Sequence, residues 1–232
     1  IWNLLAPNGY VSREGLLNLL AFIVALLVAM TFHEVAHGLV ALHNGDTTAK
    51  NMGRLSLNPI KHFSLIGLLL MFLVGFGFAK PVPINPDNFH NRKKGMIEVS
   101  LAGVLTNIII AFICFAGYRG LSLIPFEKDT AVYYILYFFV NMFYLTFVLN
   151  INFALFNILP LYPLDGYRFI GCFVNESNGF MTFLRKYSLY ILLGFILLDN
   201  IFPMYSPLNL FISYGQKGIF WLFDKFWGLF GL

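Results

Sequence analysis

The residues with the greatest chemical capacity lie where such residues are costly. His33, Glu34 and His37 form an H-E-x-x-H pattern inside an apolar run extending from Leu16 to Leu42. Residues four apart on a helix are separated by about 40° around its axis, so both imidazoles can ligate one ion. Glu34 then stands about 100° to the side, where a base belongs beside water activated at a metal. Ionisable groups at bilayer depth cost roughly 2.5–3.5 kcal/mol each on insertion scales, and a bound cation offsets that cost. The competing readings are a chance match and a pair of hydrogen-bonded core histidines.

A catalytic zinc held by two histidines needs a third protein ligand and one open position. The candidates are His43, His62, His90 and the six aspartates. His43 follows His37 by six residues and points away from the ligand face, while His62 and His90 fall among turn residues. Asp165 has the strongest case. It sits in Asn157-Ile-Leu-Pro160-Leu-Tyr-Pro163-Leu-Asp165-Gly166, directly after a long apolar segment. Two prolines three apart deny the chain regular helix, and Gly166 permits positive φ, so the backbone can turn a carboxylate inward. An ordinary turn at the water interface accounts for the same residues.

The elements that must position these groups are read from the apolar pattern. The 232 residues are 59% hydrophobic and 11% charged, more apolar material than one soluble core of this length buries. Five stretches are long enough to consider as spans: Leu16 to Leu42, His62 to Ala79, Met96 to Tyr118, Ala131 to Leu159 and Tyr187 to Phe202. A sixth, Leu208 to Leu232, is interrupted by Gln216, Lys217, Asp224 and Lys225 and reads equally well as an interfacial helix. The expected fold is an all-α polytopic membrane protein of about five to six membrane helices, with short extended or β-like loops near the active-site face. One membrane domain, 1–232, with the lipid bilayer as its surroundings, is the economical organisation, and the first run is expected to be a retained helix. The net charge of +4 comes from basic residues scattered through short loops, which topology and lipid headgroups explain better than nucleic acid. Cys114 and Cys172 lack the spacing of a thiol metal site or disulfide framework.

The two motifs together, H-E-V-A-H at 33–37 and N-I-L-P-L-Y-P-L-D-G at 157–166, resemble the site-2 protease family of intramembrane zinc metalloproteases. The likeness continues through Gly45-Asp46, Gly53-Arg54-Leu55-Ser56-Leu57-Asn58-Pro59, Ala79-Lys80-Pro81-Val82-Pro83-Ile84-Asn85-Pro86 and Leu101-Ala102-Gly103. It is nearest to the minimal bacterial and archaeal branch without PDZ or CBS domains. The resemblance implies one Zn2+ per chain held by His33, His37 and Asp165, with Glu34 as catalytic base. It also implies that Asn107 and Asn157 help position a transmembrane protein or peptide substrate or the oxyanion. The family proline after Gly103 is Val104 here. Independently of the family, Asn107 and Asn157 are amides within apolar helices, where interhelical bonding worth about 0.6 kcal/mol is the ordinary role.

One metal requires that the end of the first helix and the chain past 157 share a membrane side. Counting both 62–79 and 96–118 as full spans puts them on opposite sides. A re-entrant 62–79, with Gly67, Gly75 and Gly77, repairs the parity. Ten basic residues from Lys50 to Lys186 then fall on the active-site side against Arg13, Arg119 and Lys128 on the other, which orients the site toward the cytoplasm of a bacterial or archaeal cell membrane. An extended substrate strand could pair with Arg54–Asn58 or with Pro81–Pro86, both of which read equally well as structural loops. A zinc-binding or zinc-transport protein is the alternative function. A transport route should put further ionisable groups on other spans, whereas 131–159 has none.

Overall fold

The computed structural model describes residues 12–64, 67, 79–125, 127–175, 177–202 and 205–232. Helix α1, Arg13–His43, starts at Ser12, whose hydroxyl accepts the Gly15 N–H at 3.0 Å. Its 31 residues extend about 46 Å, longer than the roughly 30 Å hydrocarbon layer. A single-turn helix, α2 (Thr48–Asn51), and two 3-10 turns at Pro59–Lys61 and Pro86–Asn88 occupy the connection to α3, Arg92–Ser122. Helix α4 covers Ala131–Asn157, with Thr130 as its N-cap. The short α5 (Asp165–Gly171), then α6 (Gly179–Ile201) and α7 (Pro207–Gly228), complete the chain. Among the described residues the only β pairing is an isolated antiparallel bridge between Phe63 and Ala79.

Four helices, α1, α3, α4 and α6, are long and apolar enough to cross a membrane. The sequence leads to five or six, and two segments account for the difference. Most of 62–79 lies outside the described residues, and with it the re-entrant reading. Helix α7 falls short because Lys217, Asp224 and Lys225 interrupt its apolar face. It nevertheless packs on the bundle. Phe223 joins Ala111, Phe115, Phe147 and Ile151 in the largest buried cluster, and Arg119 Nη1 meets Asp224 Oδ1 at 2.8 Å. The Gln216 amide bonds Asn152, and Trp227 Nε1 donates to the Phe112 carbonyl at 3.2 Å.

Cross-helix contacts set the directions of the three central helices. Asn18 near the start of α1 donates to the hydroxyl of Tyr137 near the start of α4 at 3.0 Å, and Asp165, just past the end of α4, meets His33 and His37 in the second half of α1, so these helices run parallel. His33 meets Asn107 while His37 meets Val99, so α3 runs antiparallel to α1. The C-terminal ends of α1 and α4 therefore lie at one end of the bundle, as a shared metal requires. Ala21, Ala25 and Ala29 of α1 are wholly buried, and such small residues let helix backbones approach closely where lipid supplies no hydrophobic drive. Leu105, Ile109 and Ile113, each more than half exposed, form a stripe along α3 suited to acyl chains.

Candidate metal centre

His33 and His37 occupy successive turns of α1 and turn their rings toward α3, both buried. Their orientation is set from the far side of each ring. His33 Nδ1 lies 2.8 Å from Asn107 Oδ1, and His37 Nδ1 lies 2.8 Å from the Val99 carbonyl. Both partners are acceptors, so each Nδ1 carries the proton and each Nε2 presents a bare lone pair. Gly103, one turn from both Val99 and Asn107 on α3, makes room for the rings. A Cβ there would lie 2.6 Å from His33 Nδ1 and 2.6 Å from His37 Nε2.

Asp165 is the residue that completes the cluster. After α4 the Pro160 and Pro163 positions interrupt the helix, and the chain turns back to begin α5 at Asp165, which is only 4% exposed. Gly166 contributes here differently from the sequence expectation. Its φ is not positive; instead it packs against the Ile158 and Leu159 carbonyl oxygens, where any Cβ would collide with backbone. Close approach, rather than a left-handed turn, is what excludes a side chain at 166. The other oxygen of Asp165, Oδ1, lies 3.8 Å from Arg168 Nη1.

The three ligand atoms form a nearly equilateral triangle. His33 Nε2 and His37 Nε2 are 3.0 Å apart, and Asp165 Oδ2 lies 3.2 Å from the first and 3.1 Å from the second. Each of the three presents a lone pair, and Oδ2 is buried without a hydrogen-bond donor. One proton can lie along only one edge of such a triangle; a dication serves all three. Tetrahedral zinc with bonds near 2.0–2.1 Å separates its ligands by about 3.3 Å, close to the observed edges. The residues present fit the metal.

The remaining site candidates fall outside the triangle. Glu34 is half-buried, and its Oε2 accepts the Val82 N–H at 2.8 Å. Asn107 touches His33, not an open space for substrate, and its Nδ2 is buried without a partner. Asn157 closes α4 and donates back to the Phe153 carbonyl at 3.0 Å. Of the alternative third ligands, His62 is buried against the Ser56 carbonyl at 2.7 Å, and His43 and His90 are exposed. Asp46 is wholly buried as the acceptor for the Thr48 N–H, the Asn85 N–H and the Asn88 amide, each at 2.8–3.0 Å, and for the Thr48 hydroxyl. Burial pushes its carboxyl up, but these hydrogen bonds outweigh burial and hold it below the ordinary range.

Neither Gly103 nor Val99 has a role legible in the sequence. Both act through what a residue letter does not display, an absent Cβ in one case and a backbone carbonyl in the other. The available signals were the Leu101-Ala102-Gly103 likeness and Gly103 and Asn107 standing four apart on a single helix face.

Comparison with known proteins finds three relatives that bear on this site, each carrying a name beginning "Putative zinc metalloprotease". YwhC of Bacillus subtilis is 39% identical over 179 residues, which cover 70% of this chain and 77% of that protein. MJ0611 of Methanocaldococcus jannaschii is 30% identical over 155 residues, covering 64% of this chain and 70% of that protein. Rip2 of Mycolicibacterium smegmatis is 28% identical over 161 residues, covering 67% of this chain and 58% of that protein. No family model matches the chain, and no solved structure matches it.

Proposed function

Because this chain belongs to the zinc metalloprotease family of those relatives, we propose that it hydrolyses peptide bonds within or next to the membrane-spanning segments of other membrane proteins. In this reading His33, His37 and Asp165 hold the zinc, and Glu34 is the general base. The observation that carries it is the triangle of three ligand atoms 3.0–3.2 Å apart, two of them supplied by a helix apolar enough to cross a bilayer. The two helices that carry and face the histidines, α1 and α3, are both apolar enough to cross a membrane, a low-dielectric setting for a centre acting on a bilayer substrate.

Zinc, when bound, supplies a Lewis acid that brings the pKa of a coordinated water toward about 7 and polarises a carbonyl oxygen. The chain's own residues do the rest. Asn107 and the Val99 carbonyl keep both imidazoles in the tautomer that offers Nε2. Glu34 accepts the proton released as water attacks the scissile carbonyl, then returns it to the leaving amine. Its Oε2 is held by Val82, which leaves Oε1 for that transfer. Asn157, at the end of α4, helps position the substrate or the developing oxyanion. Substrate is taken up in extended form, since a helix hides its carbonyls within its own ladder.

The active-site end is assigned to the cytoplasm on the ten-to-three distribution of basic residues. Labelling single cysteines at Asn58 and Asn88 from each face of sealed vesicles tests this. Both are expected to react from the cytoplasmic side, and reaction from the outer face would overturn the orientation. For the chemistry the decisive variant is Glu34→Gln, assayed for zinc content and for cleavage of a model transmembrane peptide. Retained zinc with abolished cleavage is expected; undiminished cleavage would refute the assigned base.

A further inference from the structure

Between Lys80 and Ile84 the chain owns one amide N–H, that of Val82, because Pro81 and Pro83 have none. That donor is directed at Glu34 Oε2, 2.8 Å away. The prolines also restrict the residues before them, Lys80 and Val82, to extended backbone. The segment is thus a stiff strap offering a single hydrogen bond at a fixed place.

The strap is fastened on both sides. Arg54 Nη2 donates to the Lys80 carbonyl at 2.7 Å and to the Pro81 carbonyl at 3.3 Å. The Lys80 N–H donates to the His62 carbonyl at 2.8 Å, and beyond the strap Asp46 Oδ2 accepts the Asn85 N–H at 2.8 Å. Val82 itself is buried against α1 one turn past Glu34, where a Cβ on Gly38 would come within 3.1 Å of Val82 Cγ1. Arg54 is 9% exposed. Burying a guanidinium is costly, and this one is directed at two carbonyls of the strap rather than at a carboxylate.

We propose that Arg54 is a positioning residue for Glu34: it locks the Lys80–Val82 backbone so that the Val82 N–H holds one carboxylate oxygen and leaves the other facing the reacting water. This rests on the reading of Glu34 as general base. A role in loop stability alone would move melting temperature and leave turnover at the centre unchanged. A positioning role moves kcat, because misplacing a reacting group by about 1 Å costs up to ~10²-fold in rate.

The test compares Arg54→Met, Arg54→Lys, Val82→Pro and the Arg54→Met/Val82→Pro double variant with the parent protein. Each is purified in detergent and assayed on a model transmembrane peptide for kcat, KM and zinc per chain. Arg54→Met and Val82→Pro are each expected to lower kcat about 10- to 100-fold, with KM within about twofold and one zinc retained. Arg54→Lys recovers part of the loss, and the double variant is no slower than the slower single one. Multiplying losses in the double variant, or a change confined to KM, would overturn the proposal. Should Arg54→Met fail to fold, Val82→Pro carries the test alone, since it deletes the hydrogen bond while Arg54 stays, and an unchanged kcat there is equally fatal. The two readings fail separately. Cleavage surviving Glu34→Gln removes the base assignment, whereas cleavage lost in Glu34→Gln but intact in Arg54→Met and Val82→Pro removes only the strap.

Discussion

Replacing Gly103 by alanine adds one methyl group where the two imidazoles pass α3. The new carbon would stand 2.6 Å from both His33 Nδ1 and His37 Nε2, about 0.8 Å short of the 3.4 Å at which ordinary contact begins. The rings are trapped between that methyl and Asp165, so they must rotate out of the triangle, or α1 and α3 must part. Overpacking of this kind costs roughly 1–3 kcal/mol of stability. A ring displacement near 1 Å at a site that needs positional accuracy costs up to ~10²-fold, equivalent to about 2.7 kcal/mol. Zinc affinity, measured by competition with a chromophoric chelator, is expected to fall about 10- to 100-fold, and peptide cleavage with it. Gly194→Ala in α6 is the control, because a Cβ there meets nothing within 4 Å; its helix should be slightly stabilised. If Gly103→Ala bound zinc within twofold of the parent, the packing of both ligands against α3 would be wrong.

Asp165→Asn keeps the size of the third ligand and removes its charge; zinc per chain measured by mass spectrometry is expected to fall well below one. Asn107→Ala strips the acceptor from His33 Nδ1, freeing that ring to flip, and should weaken zinc binding about 10- to 100-fold with the other two ligands untouched. Asp46→Asn tests the sign of a pH effect. The folded carboxyl titrates below its ordinary 3.8, so its contribution to stability is present at neutral pH and is lost as pH falls through the folded value. Thermal melting in detergent should therefore show the parent above the variant at pH 7 and the two converging under acid conditions. Convergence with rising pH would contradict the hydrogen bonds drawn to Asp46.

The parts of this molecule that could be read in advance are those in which residue type and spacing carry the constraint by themselves. The four-residue interval between His33 and His37 places two rings on one helix face whatever surrounds it. Two prolines three apart, at 160 and 163, each remove a backbone donor from the helix ladder, so the turn before Asp165 was visible. The apolar runs match the cores of α1, α3, α4 and α6; α1, α3 and α6 begin before their runs because their caps, at Ser12, Asn91 and Asn178, are polar residues farther out, whereas α4 begins with its run at Ala131, capped by Thr130. What stayed hidden depends on which surface faces which. That Asn107 reaches His33, and that a carbonyl at Val99 serves His37, follows from the antiparallel crossing of α1 and α3, and periodicity does not encode partners. Gly166 was assigned the freedom glycine usually supplies, when its use here is the absence of bulk. Helix α7 was ambiguous because its charged residues argue against burial unless Arg119, more than a hundred residues earlier, lies opposite Asp224.

The ligand triangle draws two of its corners from α1 and the third from the start of α5. A cation there would close a covalent loop of about 130 residues, acting as a reversible cross-link in a medium where apolar contact does little to hold helices together. Such a link would shift the equilibrium between packed and separated helices by the logarithm of metal activity over its dissociation constant. Cleavage capacity and integrity of the assembled bundle would then respond to the same free-zinc concentration, so that a cell short of the metal would lose the enzyme along with its activity.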